Sequence, residues 1–162
     1  MLYAEDQVMR YQKNSAFTLV EIMVVVVIVG LLATLAIPTI KNAKQNTQFT
    51  RLLNDFRIFS DAIEQFTFVT GDFPEDSNTG LIPTGMEGYI KADTWDKGPS
   101  IGGSWDVEKS GSDYLSAVGV HRYDVDDAVL LDFDTRYDDG NLASGRFRKI
   151  DSDRYYRIIE SR

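Results

Sequence analysis

An apolar run that contains a single carboxylate constrains this chain more than any other feature. Between Phe17 and Ile37 there are 21 residues, and Glu21 is the only charged one. A helix of that length extends roughly 31 Å, which matches the hydrocarbon thickness of a bilayer. A carboxylate in such a segment is costly unless another group neutralises it, so its presence indicates a function. The run therefore predicts a membrane-spanning helix in which Glu21 has a specific partner.

Composition argues against most kinds of catalytic site. The 162 residues include no cysteine, which excludes a disulfide and a thiolate metal site. They include one histidine, His121, which leaves almost no material for a His-paired triad or a multi-His metal site. The sequence has no glycine-rich phosphate loop and no nucleophile elbow. The net charge is −8, and residues 71–162 carry all of the excess, which suits solvent better than nucleic acid. We therefore expect a protein that is not an enzyme and that binds no nucleic acid.

Small residues precede the apolar run instead of following it. Residues 1–16 are polar, include Arg10 and Lys13, and end in Ser15-Ala16. An ordinary secretory signal has its small-residue cleavage site after the apolar stretch. Cleavage next to Ala16 would remove residues 1–16 as a leader peptide and leave the apolar segment on the mature protein.

The sequence AFTLVE at residues 16–21, followed by the apolar run, resembles the leader and processing site of type IV pilins and pseudopilins. The resemblance implies that a prepilin peptidase cuts between Ala16 and Phe17 on the cytoplasmic side and then methylates the amine of Phe17. The family usually has glycine where this chain has Ala16. Gly30 and Pro38 also fall where the family commonly places a glycine and a proline.

Cleavage would give Glu21 a partner. The new amine of Phe17 lies one helical turn away, and an opposite-charge pair makes a buried acid tolerable. The resemblance implies that Glu21 meets the amine of a neighbouring subunit and sets the assembly register; a carboxylate that reaches the lipid head groups is the alternative. Gly30 and Pro38 weaken the helix between them. The resemblance implies an unwound stretch there in the filament, and a plain proline kink fits the sequence equally well.

Beyond the span at residues 17–38, residues 39–70 continue as an amphipathic helix. Its apolar residues recur at spacings of three and four: Phe49, Leu52, Phe56, Phe59, Ile63 and Phe66. This stripe predicts packing against a sheet of the same subunit, with a coiled coil as the alternative. Gly71 and Pro74 are expected to end the helix.

The carboxy-terminal part predicts a small antiparallel sheet. Residues 71–112 are rich in glycine and indicate an irregular connecting loop, in which Trp95 and Trp105 anchor the chain to the core. Residues 113–162 are expected to form the α/β sheet region. Its predicted elements are a strand at 114–122, a helix at about 127–138 and a hairpin of 146–150 with 154–160. The expected fold class is α+β, a long N-terminal helix packed on this sheet, as in pilins.

Two clusters of charge need an interpretation. Seven aspartates lie between residues 124 and 139, and their spacing is not that of an EF-hand. Most of them fit the solvent-facing side of the predicted helix. Since some pseudopilins bind calcium near their C-terminus, Asp124, Asp126 and Asp127 are kept as calcium candidates; otherwise no cofactor is expected. Five cations lie on the hairpin, and their expected partner is the acidic face of a neighbouring subunit. They are Arg146, Arg148, Lys149, Arg154 and Arg157.

These features predict a filament subunit. The resemblance implies a single-pass precursor in a bacterial inner membrane, with its C-terminal domain on the periplasmic side, that later enters a periplasmic or cell-surface filament. Its implied partners are copies of itself, other pilin-like subunits, the prepilin peptidase, inner-membrane assembly machinery and, before assembly, lipid. The glycine-rich loop and the missing disulfide favour a type II secretion pseudopilin over a type IV pilin. The alternative is a membrane-tethered binding domain that never polymerises and uses its Trp-containing loop as the receptor surface.

Overall fold

The computed structural model describes residues 17–162, so the leader assigned to residues 1–16 lies outside the described residues. The chain divides into two compact units, Met1–Asn42 and Ala43–Arg162. Helix α1, Leu19–Thr70, contributes its first part to one unit and its second part to the other. In the first unit, the structure describes the apolar part of α1 with its side chains exposed throughout.

In the second unit, α1 supplies one wall of the hydrophobic core. The predicted stripe is buried at Phe49, Leu52, Phe56, Phe59 and Ile63, and Phe66 is half-buried against it. The Phe56 ring meets the Trp105 ring of the sheet edge-on, with ring centroids 5.5 Å apart. Packing of the stripe against its own subunit is thereby confirmed. The helix ends at Thr70, and Gly71 adopts the φ of 84° that favours glycine after a helix.

The sheet has four antiparallel strands in the order β1-β2-β4-β3. The strands are β1 Ser104–Lys109, β2 Tyr114–His121, β3 Phe147–Asp151 and β4 Arg154–Ser161. Two shorter helices, α2 Ala92–Trp95 and α3 Asp127–Tyr137, accompany it. The predicted α+β fold is confirmed, as are the strand β2, the helix α3 and the hairpin of β3 with β4.

The prediction of an irregular connection over residues 71–112 is wrong for its last part. Ser104–Lys109 forms β1, which pairs with β2 along its whole length, from Ser104 opposite His121 to Lys109 opposite Ser116. Its sequence, SWDVEK, has only two apolar residues and follows two glycines, so local propensity gives a weak strand signal. Pairing with β2 and burial of Trp105 and Val107 decide the conformation.

Trp95 and Trp105 anchor the glycine-rich segment to the core, as predicted. Both side chains are almost fully buried, and both rings pack edge-on against Phe59, with centroids 5.0 and 4.9 Å from its ring. The Trp95 indole N–H also donates to the carbonyl of Gly80 at 2.9 Å. Edge-to-face aromatic pairs add about 0.5–1.5 kcal/mol each beyond the burial of their surface.

Candidate processing and assembly site

The N-terminal end of α1 is fixed by a reciprocal pair of hydrogen bonds. The Oε2 atom of Glu21 accepts from the backbone N–H and from the hydroxyl of Thr18, both at 2.8 Å, and the Thr18 hydroxyl accepts from the Glu21 N–H at 3.2 Å. This arrangement is a capping box, in which each side chain satisfies a backbone donor that the first helical turn leaves free. Thr18 is thus a site residue that the sequence analysis missed. The spacing T-x-x-E before an apolar run is the signal that indicates it.

The residues assigned to processing lie directly before this box. Phe17 is 79% exposed at the helix entrance. Ala16, on the other side of the predicted cleavage site, lies outside the described residues. Both described hydrogen bonds to the Glu21 carboxylate use Oε2, which leaves Oε1 available for an ammonium group. Capping of the helix and pairing with an amine are therefore compatible at Glu21.

The helix that follows presents apolar surface on every side. Its large side chains from Leu19 to Ile40 are more than half exposed. This part of α1, near the N-terminus, is long and apolar enough to cross a membrane. Because a helix that is hydrophobic all round has to be covered, its two physical solutions are lipid and other helices.

Gly30 and Pro38 both lie inside this helical segment, which is continuous in the structure. A Cβ atom at Gly30 would meet nothing within 4 Å, so glycine is not required there by its own subunit. Pro38 removes one backbone donor from the helix. Beside it, the hydroxyl of Thr39 donates to the carbonyl of Leu35 at 3.3 Å, and that of Thr34 donates to Leu31 at 2.7 Å.

The structure does not bring Asp124, Asp126 and Asp127 together as a metal site. Asp126 is the residue before α3 but its side chain makes no capping hydrogen bond, and Asp127 holds the ammonium of Lys149 with both carboxylate oxygens, at 2.7 and 2.6 Å. Asp124 is exposed. The carboxylates of these three candidates therefore do not converge in the described part of the chain.

A different set of aspartates does converge. Carboxylate oxygens of Asp134, Asp138 and Asp139, at the end of α3, all lie within 4.8 Å of one another. Burial raises the pKa of Asp134, the Asn141 N–H opposes that shift, and the charges of Asp138 and Asp139 add to it. Three carboxylates this close together repel each other unless they share protons or a cation.

The loop is shaped around these acids. Asp138 accepts the backbone N–H groups of Arg146 and Phe147, and a Cβ atom at Gly145 would lie 2.2 Å from its Oδ2 atom. Gly145 also has a φ of 76°, so glycine is required on both counts. An all-oxygen donor set of this kind suits a hard cation such as Ca²⁺, which takes six to eight oxygen ligands. The carboxylate oxygens present therefore fit calcium by their chemistry.

An apolar, exposed N-terminal helix that continues as the amphipathic wall of a small α+β domain defines a pilin-like protein. Residues 11–37 match the family described as the prokaryotic N-terminal methylation motif. The chain is 31% identical over 122 residues to the type II secretion system core protein G of Escherichia coli (strain K12), which covers 62% of this chain and 83% of that protein. It is 29% identical over 126 residues to the protein of the same name from Pseudomonas aeruginosa, covering 65% and 88%.

The chain belongs to the family of the type II secretion system core protein G, which are pseudopilins. No solved structure matches it significantly. The prediction of a pilin or pseudopilin from residues 16–38 is confirmed, and the pseudopilin interpretation is the one that the relatives support.

Proposed function

We propose that this chain is a structural subunit of a type II secretion pseudopilus and has no catalytic activity of its own. The observation that carries the proposal is the apolar part of α1, which is exposed on all sides and capped by Glu21 at its entrance. Lipid covers this surface in the precursor, and identical or related helices cover it in the filament. The domain of residues 43–162 has a complete core of its own, so it travels with the helix as a preformed unit.

We further propose that the precursor is anchored in the bacterial inner membrane with its C-terminal domain on the periplasmic side. A prepilin peptidase removes residues 1–16 and methylates Phe17. The exposed Phe17 and the methylation-motif match over residues 11–37 support this proposal. Mass spectrometry of the membrane-extracted protein, produced with a prepilin peptidase, is expected to find a chain that starts at N-methylated Phe17. An intact Met1 under those conditions would contradict the proposal.

The role of Glu21 in assembly can be separated from its role in helix capping. Glu21→Gln keeps an acceptor for the Thr18 N–H but removes the charge, whereas Glu21→Ala removes both. If the charge pairs with the amine of a neighbouring Phe17, both variants insert into the membrane normally and both lose filaments. Electron microscopy of filaments from overproducing cells measures this. Normal filaments from Glu21→Gln would show that assembly needs only the capping hydrogen bond and would refute a role of the Glu21 charge in setting the register.

The alternative function is a tethered domain that binds a receptor through its tryptophans, and the burial of both side chains argues against it. Trp95 and Trp105 are 2% and 1% exposed and are committed to the core. The same filament experiment separates the two functions, because a tethered domain makes no filaments at any expression level.

We propose calcium as a structural ligand of Asp134, Asp138 and Asp139. A bound Ca²⁺ would neutralise the repulsion among these carboxylates and fix the loop between α3 and β3. Millimolar Ca²⁺ is then expected to raise the melting temperature of the purified protein, and a chelator to reverse the change. Asp138→Asn should remove the response, whereas Asp126→Asn, at an exposed acid outside the cluster, should keep it. A melting temperature that ignores Ca²⁺ in the wild type would refute the site.

A further inference from the structure

The basic residues of the β3–β4 hairpin do not form one basic surface. Three of the five are neutralised within the chain: Arg148 pairs with Asp113 at 2.6 Å, Lys149 with Asp127, and Arg154 with Glu108. The remaining two, Arg146 and Arg157, have no carboxylate within 4.0 Å in the part of the chain that the structure describes. Of the five basic residues noted in the sequence of the hairpin, two therefore remain unpaired among the described residues.

A third unpaired arginine lies beside these two. Arg157 is half-buried where β4 meets α1, and its guanidinium donates to the carbonyl of Phe56 at 3.3 Å. The next residue of α1 is Arg57, which is exposed and likewise without an ion pair among residues 17–162. Arg146 lies on the neighbouring chain segment, where its carbonyl accepts the Ile158 N–H at 2.7 Å. We name Arg57, Arg146 and Arg157 the arginine cluster.

The electrostatics of the arginine cluster is unfavourable in the isolated subunit. Burial lowers the pKa of Arg157, the charge of Arg146 lowers it further, Asp61 and Glu64 oppose this, and Arg57 adds to the lowering. Asp61 and Glu64 both lie beyond ion-pair distance of the three arginines. A half-buried guanidinium that holds only one carbonyl leaves most of its five donors without a strong acceptor. A carboxylate supplied from outside would satisfy those donors in the bidentate geometry that arginine prefers.

The rest of the chain indicates where such a carboxylate comes from. The net charge is −8, and the leader contains two acids and two bases, so cleavage leaves the side-chain charge unchanged. Copies of this subunit therefore repel one another except where opposite charges meet locally. Because charges are screened beyond about 8 Å at physiological salt, a local cationic site decides whether and in which register acidic copies associate. Exposed carboxylates without an ion pair, Asp124 and Asp126 among them, lie on the same chain.

We propose that the arginine cluster binds an exposed carboxylate of a second copy of this chain and so fixes the contact between neighbouring globular domains. The inference rests on the proposed filament function and adds to it a contact outside the N-terminal helix. It predicts that the contribution of this contact to assembly falls as salt rises, because the pair is partly solvent-exposed.

Zero-length cross-linking tests the contact directly, with or without visible filaments. In Arg146→Lys, a carbodiimide joins the new amine to any carboxylate in ion-pair contact, and mixing ¹⁴N- and ¹⁵N-labelled copies in one membrane marks the links between chains. The expected product is a mixed-isotope peptide that joins residue 146 to an acidic peptide. Arg122→Lys, at an exposed and unpaired arginine outside the cluster, is the control and should give no such product. Links only to Asp61 or Glu64 of the same chain, or none above the control, would overturn the proposal.

Charge reversal separates this contact from filament formation in general. The double variant Arg57→Glu, Arg146→Glu is expected to form about tenfold fewer filaments than the wild type, with an unchanged melting temperature. The double variant Lys91→Glu, Arg122→Glu carries the same net charge at exposed, unpaired positions and should assemble like the wild type. Equal assembly of the two double variants would refute the arginine cluster while leaving the pseudopilus function intact. If the wild type makes no filaments but the intermolecular cross-link forms, the proposed function fails and the contact stands.

Discussion

The phenol of Tyr156 donates a hydrogen bond of 2.6 Å to the Oδ2 atom of Asp106, and both side chains are buried. The two residues belong to β4 and β1, which are separated in the sheet by β2. The bond reaches across because the residue between them, Gly119, has no side chain: a Cβ atom there would lie 2.2 Å from the Tyr156 ring. Burial and the bond to Asp106 raise the pKa of Tyr156, so the phenol keeps its proton at any physiological pH.

Removing the phenol should destabilise the domain. In Tyr156→Phe, the Asp106 carboxylate loses its short donor while its Oδ1 atom already has no hydrogen-bond partner among the described residues. A lost hydrogen bond to a buried charged group costs about 2 kcal/mol. Chemical denaturation of the purified protein measures the change in the free energy of unfolding. Tyr137→Phe, at a more exposed phenol, is the control and should cost little; equal losses in both would contradict a specific role for the Tyr156–Asp106 bond.

Adding one methyl group between these residues should have a comparable effect. In Gly119→Ala, the new Cβ atom would lie 2.2 Å from an atom of the Tyr156 ring, so either the ring or β2 has to move. Overpacking of this kind costs about 1–3 kcal/mol. Gly88→Ala is the matched control, since a Cβ atom there meets nothing within 4 Å. Thermal unfolding should show a clear loss for position 119 and none for position 88, and a melting temperature unchanged at 119 would mean that the ring does not lie over the glycine in solution.

Stability should increase as the pH falls from neutral through the raised folded-state pKa values of three carboxyl groups, in the absence of calcium. Burial raises the pKa of Asp76, Glu108 and Asp134, and the charge of a neighbouring carboxylate adds to each shift. A carboxyl whose pKa is higher in the folded than in the unfolded state favours folding more as it takes up its proton. The gain therefore appears as the pH falls through the folded pKa and is complete below the unfolded pKa.

In stronger acid, stability is expected to decrease as the pH falls further. The hydrogen bond from the Lys109 ammonium lowers the pKa of Asp72, so the stabilisation from this pair is present above the unfolded pKa and is lost as the pH falls through the folded one. We expect stability to rise and then fall on acidification in denaturation curves recorded from pH 8 to 3. Asp76→Asn and Glu108→Gln should each flatten the rise in stability on acidification. A steady decline from pH 7 downward would show that these carboxyls are not perturbed by burial.

The glycine and the proline of α1 provide a test of helix flexibility. If filament assembly needs the helix to unwind between them, the double variant Gly30→Ala, Pro38→Ala should insert and be cleaved normally but form fewer filaments. Its helix is more stable, because the helix propensity of alanine is more favourable than that of glycine by about 1 kcal/mol and than that of proline by about 3 kcal/mol. Val29→Ala, which changes apolar surface but not the weak positions, is the control. Wild-type filament numbers from the double variant would favour a simple proline kink.

The sequence by itself determined the features that depend on local periodicity and composition. The apolar run specified the N-terminal helix, and the spacing from Phe49 to Phe66 specified which face of α1 is buried. The pilin class came from the resemblance of residues 16–38 to the processing motif of that family. Strand β2 and the β3–β4 hairpin followed from alternation and turn residues. Such features repeat within a few residues, so neighbouring side chains alone encode them.

The tertiary structure decided what depends on distant partners. Ser104–Lys109 is a strand because it pairs with β2 and because Trp105 is buried in the core. The buried Asp106 carboxylate accepts a hydrogen bond from Tyr156 across Gly119 and a longer one from the Thr79 hydroxyl, and both donors are distant in sequence. The aspartates that converge are Asp134, Asp138 and Asp139, since the turn at Gly145 folds the loop back onto them. Ion pairs with distant acids leave only two of the five hairpin cations unpaired in the described part of the chain, Arg146 and Arg157. Each of these outcomes joins residues that are far apart in the chain, so no local pattern specifies it.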